Sequence, residues 1–132
     1  MKILILSSIL TVLVFGGCDK GDVYEPALVN KVLEGGTGGI YSLAVYSKLN
    51  ATGVNSRIYL KYAADKMPVD SALYDEKDNA VPEPGFGPHV HFHALKTGTY
   101  YIYVKTGSAQ GETVVNITAA SKTSQDISVD LK

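Results

Sequence analysis

From residue 39 onward, apolar and polar residues alternate with a period of two, and this alternation constrains the fold more than any other feature. Successive side chains of a β-strand point to opposite faces, so the pattern is typical of strands with one buried face. The alternation is clear at residues 41–45 and 57–62, residues 71–75 are a short strand candidate, and residues 89–95, 99–106, 112–119 and 125–131 also have the features of strands. Seven short strands at near-regular spacing predict one all-β domain of the β-sandwich class.

Turn-forming residues separate the predicted strands. Residues 50–55 have turn chemistry, and glycines lie at or near the ends of several later segments. The segment at residues 81–88 contains three prolines, which lack the N–H donor that a strand ladder needs. We therefore expect residues 81–88 to form an exposed loop.

Residues 90–104 carry the spacing apolar-x-Phe-x-x-Leu-x-x-Gly-x-Tyr. This segment resembles the carboxypeptidase-regulatory-like and transthyretin-like domains, which are immunoglobulin-like β-sandwiches. The resemblance covers roughly residues 39–131. It implies that Phe92 and Leu95 face the core, that Gly98 makes a tight turn, and that Tyr100 begins the next strand on the inner face. The expected fold is therefore a seven-stranded immunoglobulin-like (transthyretin-like) β-sandwich.

The same resemblance implies a binding or spacer module and not an enzyme. Transthyretin-like hydrolases end in Tyr-Arg-Gly-Ser, whereas this chain ends Val-Asp-Leu-Lys. The regulatory domain of carboxypeptidases is itself non-catalytic. No serine lies in a Gly-x-Ser-x-Gly motif.

The N-terminus has the features of an export signal. Residues 3–15 are mostly apolar after a single lysine, but they are too few to span a bilayer, which needs about 20 residues. Phe15, two glycines and Cys18 follow, and this sequence resembles the lipobox of bacterial lipoproteins, with Phe15 where the family usually has Leu, Val or Ile. The resemblance implies cleavage before Cys18, a diacylglycerol on its sulfur and an acyl chain on its amine.

Lipidation accounts for the single cysteine of the chain. The alternative is an ordinary secretory signal that leaves Cys18 as a free thiol. Stable anchoring requires more than one acyl chain, which lipoprotein processing supplies. Asp19 and its neighbours are compatible with inner-membrane retention or with surface export, so the membrane stays open; we expect an envelope location, with the outer membrane as first choice.

The chain is therefore expected to have three parts. Residues 1–17 form the signal peptide, residues 18–38 carry the lipidated cysteine on a flexible glycine-rich tether, and residues 39–132 form the β-sandwich. The net charge is −1 and no basic block is present, which excludes nucleic acid as a partner. The expected partners are membrane lipid through Cys18 and an envelope protein or glycan.

The only three histidines, His89, His91 and His93, lie at spacing two and must share one face of their strand. Imidazole is a common ligand of Zn and Cu, so the strand is a candidate metal site, with Glu83 or Asp78 as additional ligands. The alternative is that the histidines form the solvated face of an ordinary strand. A Zn- or Cu-binding envelope protein is accordingly the second functional hypothesis.

Three further patterns have structural and functional interpretations. The tyrosines at 100, 101 and 103 could form a carbohydrate- or protein-binding stripe, although strand propensity alone explains them. Acidic residues between 65 and 78 could bind Ca²⁺, although a solvated loop is the simpler interpretation. Ser71, in Asp-Ser-Ala, resembles an O-glycosylation acceptor of lipoprotein-rich bacteria. Two asparagine sequons also occur, but a bacterial lipobox argues against their use.

Overall fold

Eight strands and one short 3₁₀ helix follow one another along residues 33–132, the part of the chain that the computed structural model describes. They are β1 (Thr37–Leu49), β2 (Thr52–Gly53), β3 (Ser56–Tyr62), the 3₁₀ helix η1 (Ser71–Leu73), β4 (Glu76–Glu83), β5 (Phe86–Leu95), β6 (Gly98–Thr106), β7 (Ala109–Ile117) and β8 (Ser124–Leu131). The prediction of an all-β domain is confirmed.

The strands form two layers that share one strand. The first half of β4 pairs with β3, from Leu60 opposite Glu76 to Ser56 opposite Ala80. Its last residues pair with β5 instead, with Val81 opposite His89. One layer is therefore β4–β3–β6–β7 and the other is β4–β5–β1–β8. All these neighbours are antiparallel except β1 and β8, which are parallel.

At the opposite side the layers meet again. The backbones of Gln110 and Lys132 exchange two hydrogen bonds of 3.0 Å, which join the start of β7 to the end of β8. The result is a curled β-sandwich, a form compatible with an immunoglobulin-like domain.

The core lies between the two layers and takes side chains from the inner face of each strand. Its members are Leu43, Val45, Ile58, Leu60, Ala80, Val90, Phe92, Leu95, Tyr100, Ile102, Val104, Val115, Ile117, Val129 and Leu131. The predicted inward positions of Phe92, Leu95 and Tyr100 are confirmed. Phe92 and Leu95 share a face at spacing three because Ala94 has a positive φ of 57°, which reverses the alternation locally.

The strand predicted at residues 71–75 is wrong. Residues 71–73 form η1, and the Asp70 side chain caps it by accepting a hydrogen bond of 2.9 Å from the N–H of Ala72. A local bond from an aspartate to the backbone competes with strand pairing and favours a capped turn.

The loop predicted at residues 81–88 is also wrong, because these residues form a paired hairpin. The register shifts between Val81 and Glu83, and this bulge accommodates Pro82 without requiring its missing donor. Pro84 and Gly85, with Gly85 at a φ of 85°, make the two-residue turn, which is the placement of Pro and Gly that a type II turn favours.

The last glycines of the predicted tether contact the domain. Strand β1 begins at Thr37, and the carbonyl of Gly36 accepts hydrogen bonds from the N–H of Lys96 at 2.8 Å and the hydroxyl of Tyr100 at 3.0 Å. The signal peptide, Cys18 and the tether up to residue 32 lie outside the described residues.

Candidate functional site

His89 is the buried member of the predicted histidine strand. Its side chain is 3% exposed, and its ring stacks on that of Tyr46 with centroids 4.7 Å apart. The Nδ1 atom lies 2.8 Å from the carbonyl oxygen of Gly87, which can only accept. Nδ1 must therefore carry the proton, and in the neutral ring the lone pair lies on Nε2.

That lone pair has two polar neighbours. Nε2 of His91 lies 3.1 Å from Nε2 of His89, and Oε1 of Glu83 lies 3.6 Å from the same atom. His93 contacts this group only through its ring, which stacks on the ring of His91 with centroids 5.6 Å apart. The structure thus brings together His89, His91 and one of the two acidic residues suggested from the sequence.

The other suggested ligand, Asp78, is placed elsewhere. It lies opposite Ile58, on the half of β4 that pairs with β3, and its carboxylate accepts from the N–H of Asn79 at 2.8 Å. Among residues 33–132, no group of three or more His, Cys, Asp or Glu side chains is arranged to hold a metal ion. The histidine strand therefore brings the Nε2 atoms of His89 and His91 together, with the Glu83 carboxylate beside them.

A second candidate lies on the outer face of the β3–β6–β7 layer. Tyr101 and Tyr103 point outward there, opposite to Tyr100, as alternation predicts. Tyr59 lies directly across from Tyr103 on β3. The ring of Tyr74 packs over all three outward tyrosines, with centroids at 5.1 Å from Tyr59, 6.4 Å from Tyr101 and 6.3 Å from Tyr103.

Residues 63–75, called the covering loop, carry Tyr74 to this face. The last residue of this loop, Asp75, is held by hydrogen bonds to β3. The N–H of Asp75 donates to the carbonyl of Leu60 at 2.9 Å. The Asp75 carboxylate accepts from the N–H of Tyr62 at 2.7 Å and from Nζ of Lys61 at 3.0 Å. Sequence reasoning missed the contact between Tyr59 and Tyr74 because it placed Tyr74 in a strand at residues 71–75, and strand alternation cannot show that this residue covers the sheet.

The aromatic cluster shields the hydroxyl groups of Tyr74 and Tyr101 from water. Burial raises the pKa of Tyr74 to about 12, with a further contribution from neighbouring Tyr103 and Glu112. Burial also raises the pKa of Tyr101, and its hydroxyl donates to Glu112 at 2.7 Å. The Tyr74 hydroxyl, by contrast, is buried without a hydrogen-bond partner among the described residues.

Two clefts open between the covering loop and the sheet. One, of about 290 Å³, is lined by Tyr59, Met67, Pro68, Val69, Ser71, Tyr74, Tyr103 and Lys105. The other, of about 330 Å³, also contacts Met67 and Tyr103, and its remaining lining residues are Gln110, Gly111, Glu112, Asp130 and Lys132. In such clefts the ring of a bound group can stack on a tyrosine, and neighbouring hydroxyl, amine and carboxylate groups can orient it.

The remaining candidates fall near the first cleft. Ser71 is exposed in η1 and lines that cleft. The acidic residues of this region are engaged separately: Asp70 caps η1, Asp75 binds Lys61, and Glu76 accepts from the hydroxyl of Tyr62 at 2.5 Å. They do not converge on a common point of the kind that Ca²⁺ requires.

No family model matches this chain, and none of the curated proteins is a significant relative. Within residues 33–132, no helix is both long and apolar enough to cross a membrane. The case for a function therefore rests on the residues and their geometry.

Proposed function

We propose that the chain is a lipoprotein of the bacterial cell envelope, anchored through acylated Cys18, whose β-sandwich is a non-enzymatic binding or accessory module. The lipobox-like sequence before Cys18 supports the anchor. The sheet topology and Tyr100 support assignment to the transthyretin-like and carboxypeptidase-regulatory-like group. The Tyr100 hydroxyl donates back to the carbonyl of Lys96 at 2.7 Å, an arrangement resembling the tyrosine corner of immunoglobulin-like sandwiches.

The aromatic cleft beneath the covering loop carries the binding part of the proposal. Tyr59, Tyr74 and Tyr103 expose ring surface around a volume of about 290 Å³, close to the lower limit of ligand pockets. Tyrosine is enriched at binding surfaces because it combines a flat apolar face with a polar tip. The partner is an envelope protein or glycan that inserts one ring-sized group. We also propose O-glycosylation of Ser71, beside this cleft, which would add a hexose mass to the chain.

Photo-crosslinking in cells that produce the full chain tests the cleft. Benzoylphenylalanine at Tyr103 replaces one aromatic residue of the cleft by another. The matched control carries it at Phe86, which is 62% exposed on the hairpin between β4 and β5. We expect one defined adduct from position 103 alone. The same adducts from both positions, or none from position 103, would contradict a binding role for the cleft.

Metal binding is the second candidate function, and the 3.1 Å separation of the two Nε2 atoms favours it. Histidines that bind metals usually donate the other ring N–H to a backbone carbonyl or carboxylate, and His89 does so to Gly87. The site would hold Zn²⁺ or Cu²⁺ through His89 and His91, with Glu83 completing the set after a small side-chain movement.

Titration calorimetry with Zn²⁺ and Cu²⁺ separates metal binding from a simple hydrogen bond between imidazoles. Stoichiometric binding that is lost in His91→Ala and kept in His93→Ala would establish the site, because His93 only stacks on His91. The absence of affinity tighter than micromolar would leave the pair as a hydrogen-bonded part of the strand.

A further inference from the structure

The chain enters the sandwich at a fixed point beside the covering loop. The N–H of Gly36 donates to the Tyr100 hydroxyl at 3.0 Å, which is itself in the core. A Cβ atom on Gly35 would lie only 3.3 Å from the backbone nitrogen of Ala63, the first residue of that loop. The backbone that follows Leu33 is held at this point, so Leu33 lies next to the covering loop.

Exposed apolar side chains gather at this entry point. Val69 is 98% exposed, Met67 is 47% exposed and Leu33 is 38% exposed. They line one groove of about 350 Å³, whose other residues are Lys61, Ala63, Ala64, Asp65, Lys66 and Pro68. The groove is thus lined mainly by apolar residues, together with two lysines and one aspartate.

The position of this surface indicates that its partner is the lipid bilayer. Fourteen residues separate Cys18 from Leu33. Even at full extension a segment of that length spans no more than about 50 Å, so a lipid on Cys18 keeps the entry point within that distance of the bilayer. Apolar side chains beside lysines match the membrane interface, where the apolar groups enter the acyl region and the ammonium groups remain among the headgroups.

We propose that Leu33, Met67 and Val69 form a membrane-docking face that inserts into the lipid surface and fixes the orientation of the anchored domain. This inference rests on the proposed lipid anchor at Cys18. Because Met67 and Val69 also line the aromatic cleft, the docking would place that cleft beside the bilayer. The docking would point the opposite end of β3, with its hairpin of β4 and β5, away from the bilayer. Ser56, at that end, pairs with Ala80, whereas Tyr62, at the near end, leads into the covering loop.

Fluorescence from an environment-sensitive label tests the docking. Val69→Cys supplies a labelling site on the face, and Val81→Cys supplies a matched valine position, 52% exposed, at the other end of β3. Each full, acylated chain is labelled with a nitrobenzoxadiazole probe and reconstituted into vesicles of phosphatidylethanolamine and phosphatidylglycerol. We expect a shift to shorter wavelength, roughly threefold brighter emission and quenching by brominated lipid at position 69 only, as for a probe that leaves water.

The possible failures are distinguishable. A chain that floats with the vesicles while the probe at position 69 stays in water would overturn the docking face and leave the anchor intact. A chain that lacks acyl groups and does not float would overturn the anchor and the docking together. Shielding that increases with protein density and resists brominated lipid would indicate a second copy on the face, which also contradicts lipid docking.

Discussion

The hydroxyl of Tyr100 lies 3.0 Å from both the N–H nitrogen and the carbonyl oxygen of Gly36, 64 residues earlier in the chain. It also lies 2.7 Å from the carbonyl oxygen of Lys96. A single buried hydroxyl thus joins the entry of the chain, the turn before β6 and the core. The location of the proposed docking face depends on this group, since it holds the residues that follow Leu33 against the domain.

Replacing Tyr100 by phenylalanine tests this link. The variant keeps the ring in the core but removes the hydroxyl that pairs with the N–H of Gly36 and the carbonyl of Lys96, so we expect the free energy of unfolding to fall by about 1–3 kcal/mol. Urea denaturation followed by circular dichroism measures the change. Tyr103→Phe is the control, because its hydroxyl bonds Gln110 at an exposed position, and we expect a loss of less than about 0.5 kcal/mol. Equal losses in both variants would refute the role assigned to Tyr100.

Gly98 leaves the space in which the entry segment lies. A Cβ atom there would be 1.4 Å from the carbonyl oxygen of Glu34, and the φ of Gly98 is +156°. Gly98→Ala should therefore lower the free energy of unfolding by about 3 kcal/mol or more. Gly87→Ala is the matched control, since a Cβ atom at that position meets nothing within 4 Å. Thermal unfolding distinguishes the two, and an unchanged melting temperature in Gly98→Ala would contradict the observed path of residues 34–36.

The free energy of unfolding should respond differently to loss of the buried hydroxyl groups of Tyr74 and Tyr101. Tyr74→Phe removes an unpartnered buried group, so at neutral pH stability should stay unchanged or rise by about 1 kcal/mol. Tyr101→Phe removes a hydrogen bond to the Glu112 carboxylate and should lower stability by about 1–2 kcal/mol. Urea denaturation of the two variants at pH 7 measures both values, and a clear loss in Tyr74→Phe would show that its hydroxyl has a partner.

The raised tyrosine pKa values predict a loss of stability in alkali. Burial raises the pKa of Tyr74 from 10.0 to about 12 in the folded chain, so the unfolded chain loses this proton first as the pH increases. The contribution is fully present below pH 10 and disappears as the pH rises toward about 12. Stability measured from pH 9 to pH 12 should fall less steeply in Tyr74→Phe than in the unsubstituted chain. Identical slopes would contradict the assigned shift.

Periodicity predicted the sandwich because each core position repeats a local rule. Tyr100 and Ile102 face inward and Tyr101 and Tyr103 face outward, as alternation requires. The errors occurred where local chemistry overrides that rule. A bulge lets Pro82 lie inside a strand. In the segment predicted as a strand at residues 71–75, the capping bond from Asp70 favours a 3₁₀ helix instead.

The candidate sites were less predictable because they combine residues that are distant in sequence. The spacing of the histidines predicted a common face, but not the hydrogen bond that fixes the tautomer of His89. The cluster around Tyr74 depends on the path of the covering loop, which is set by contacts of Asp75 with β3. No periodic pattern encodes such contacts.

Lipid on Cys18 is proposed to hold this sandwich in the envelope. The most direct measurement is the intact mass of the full chain purified from membranes, together with fractionation of a Cys18→Ala variant. We expect a chain that begins at Cys18 and carries the mass of a diacylglycerol and an acyl group, and we expect that the variant is not anchored. An unmodified Cys18 in a chain that is still fully membrane-bound would contradict this proposal.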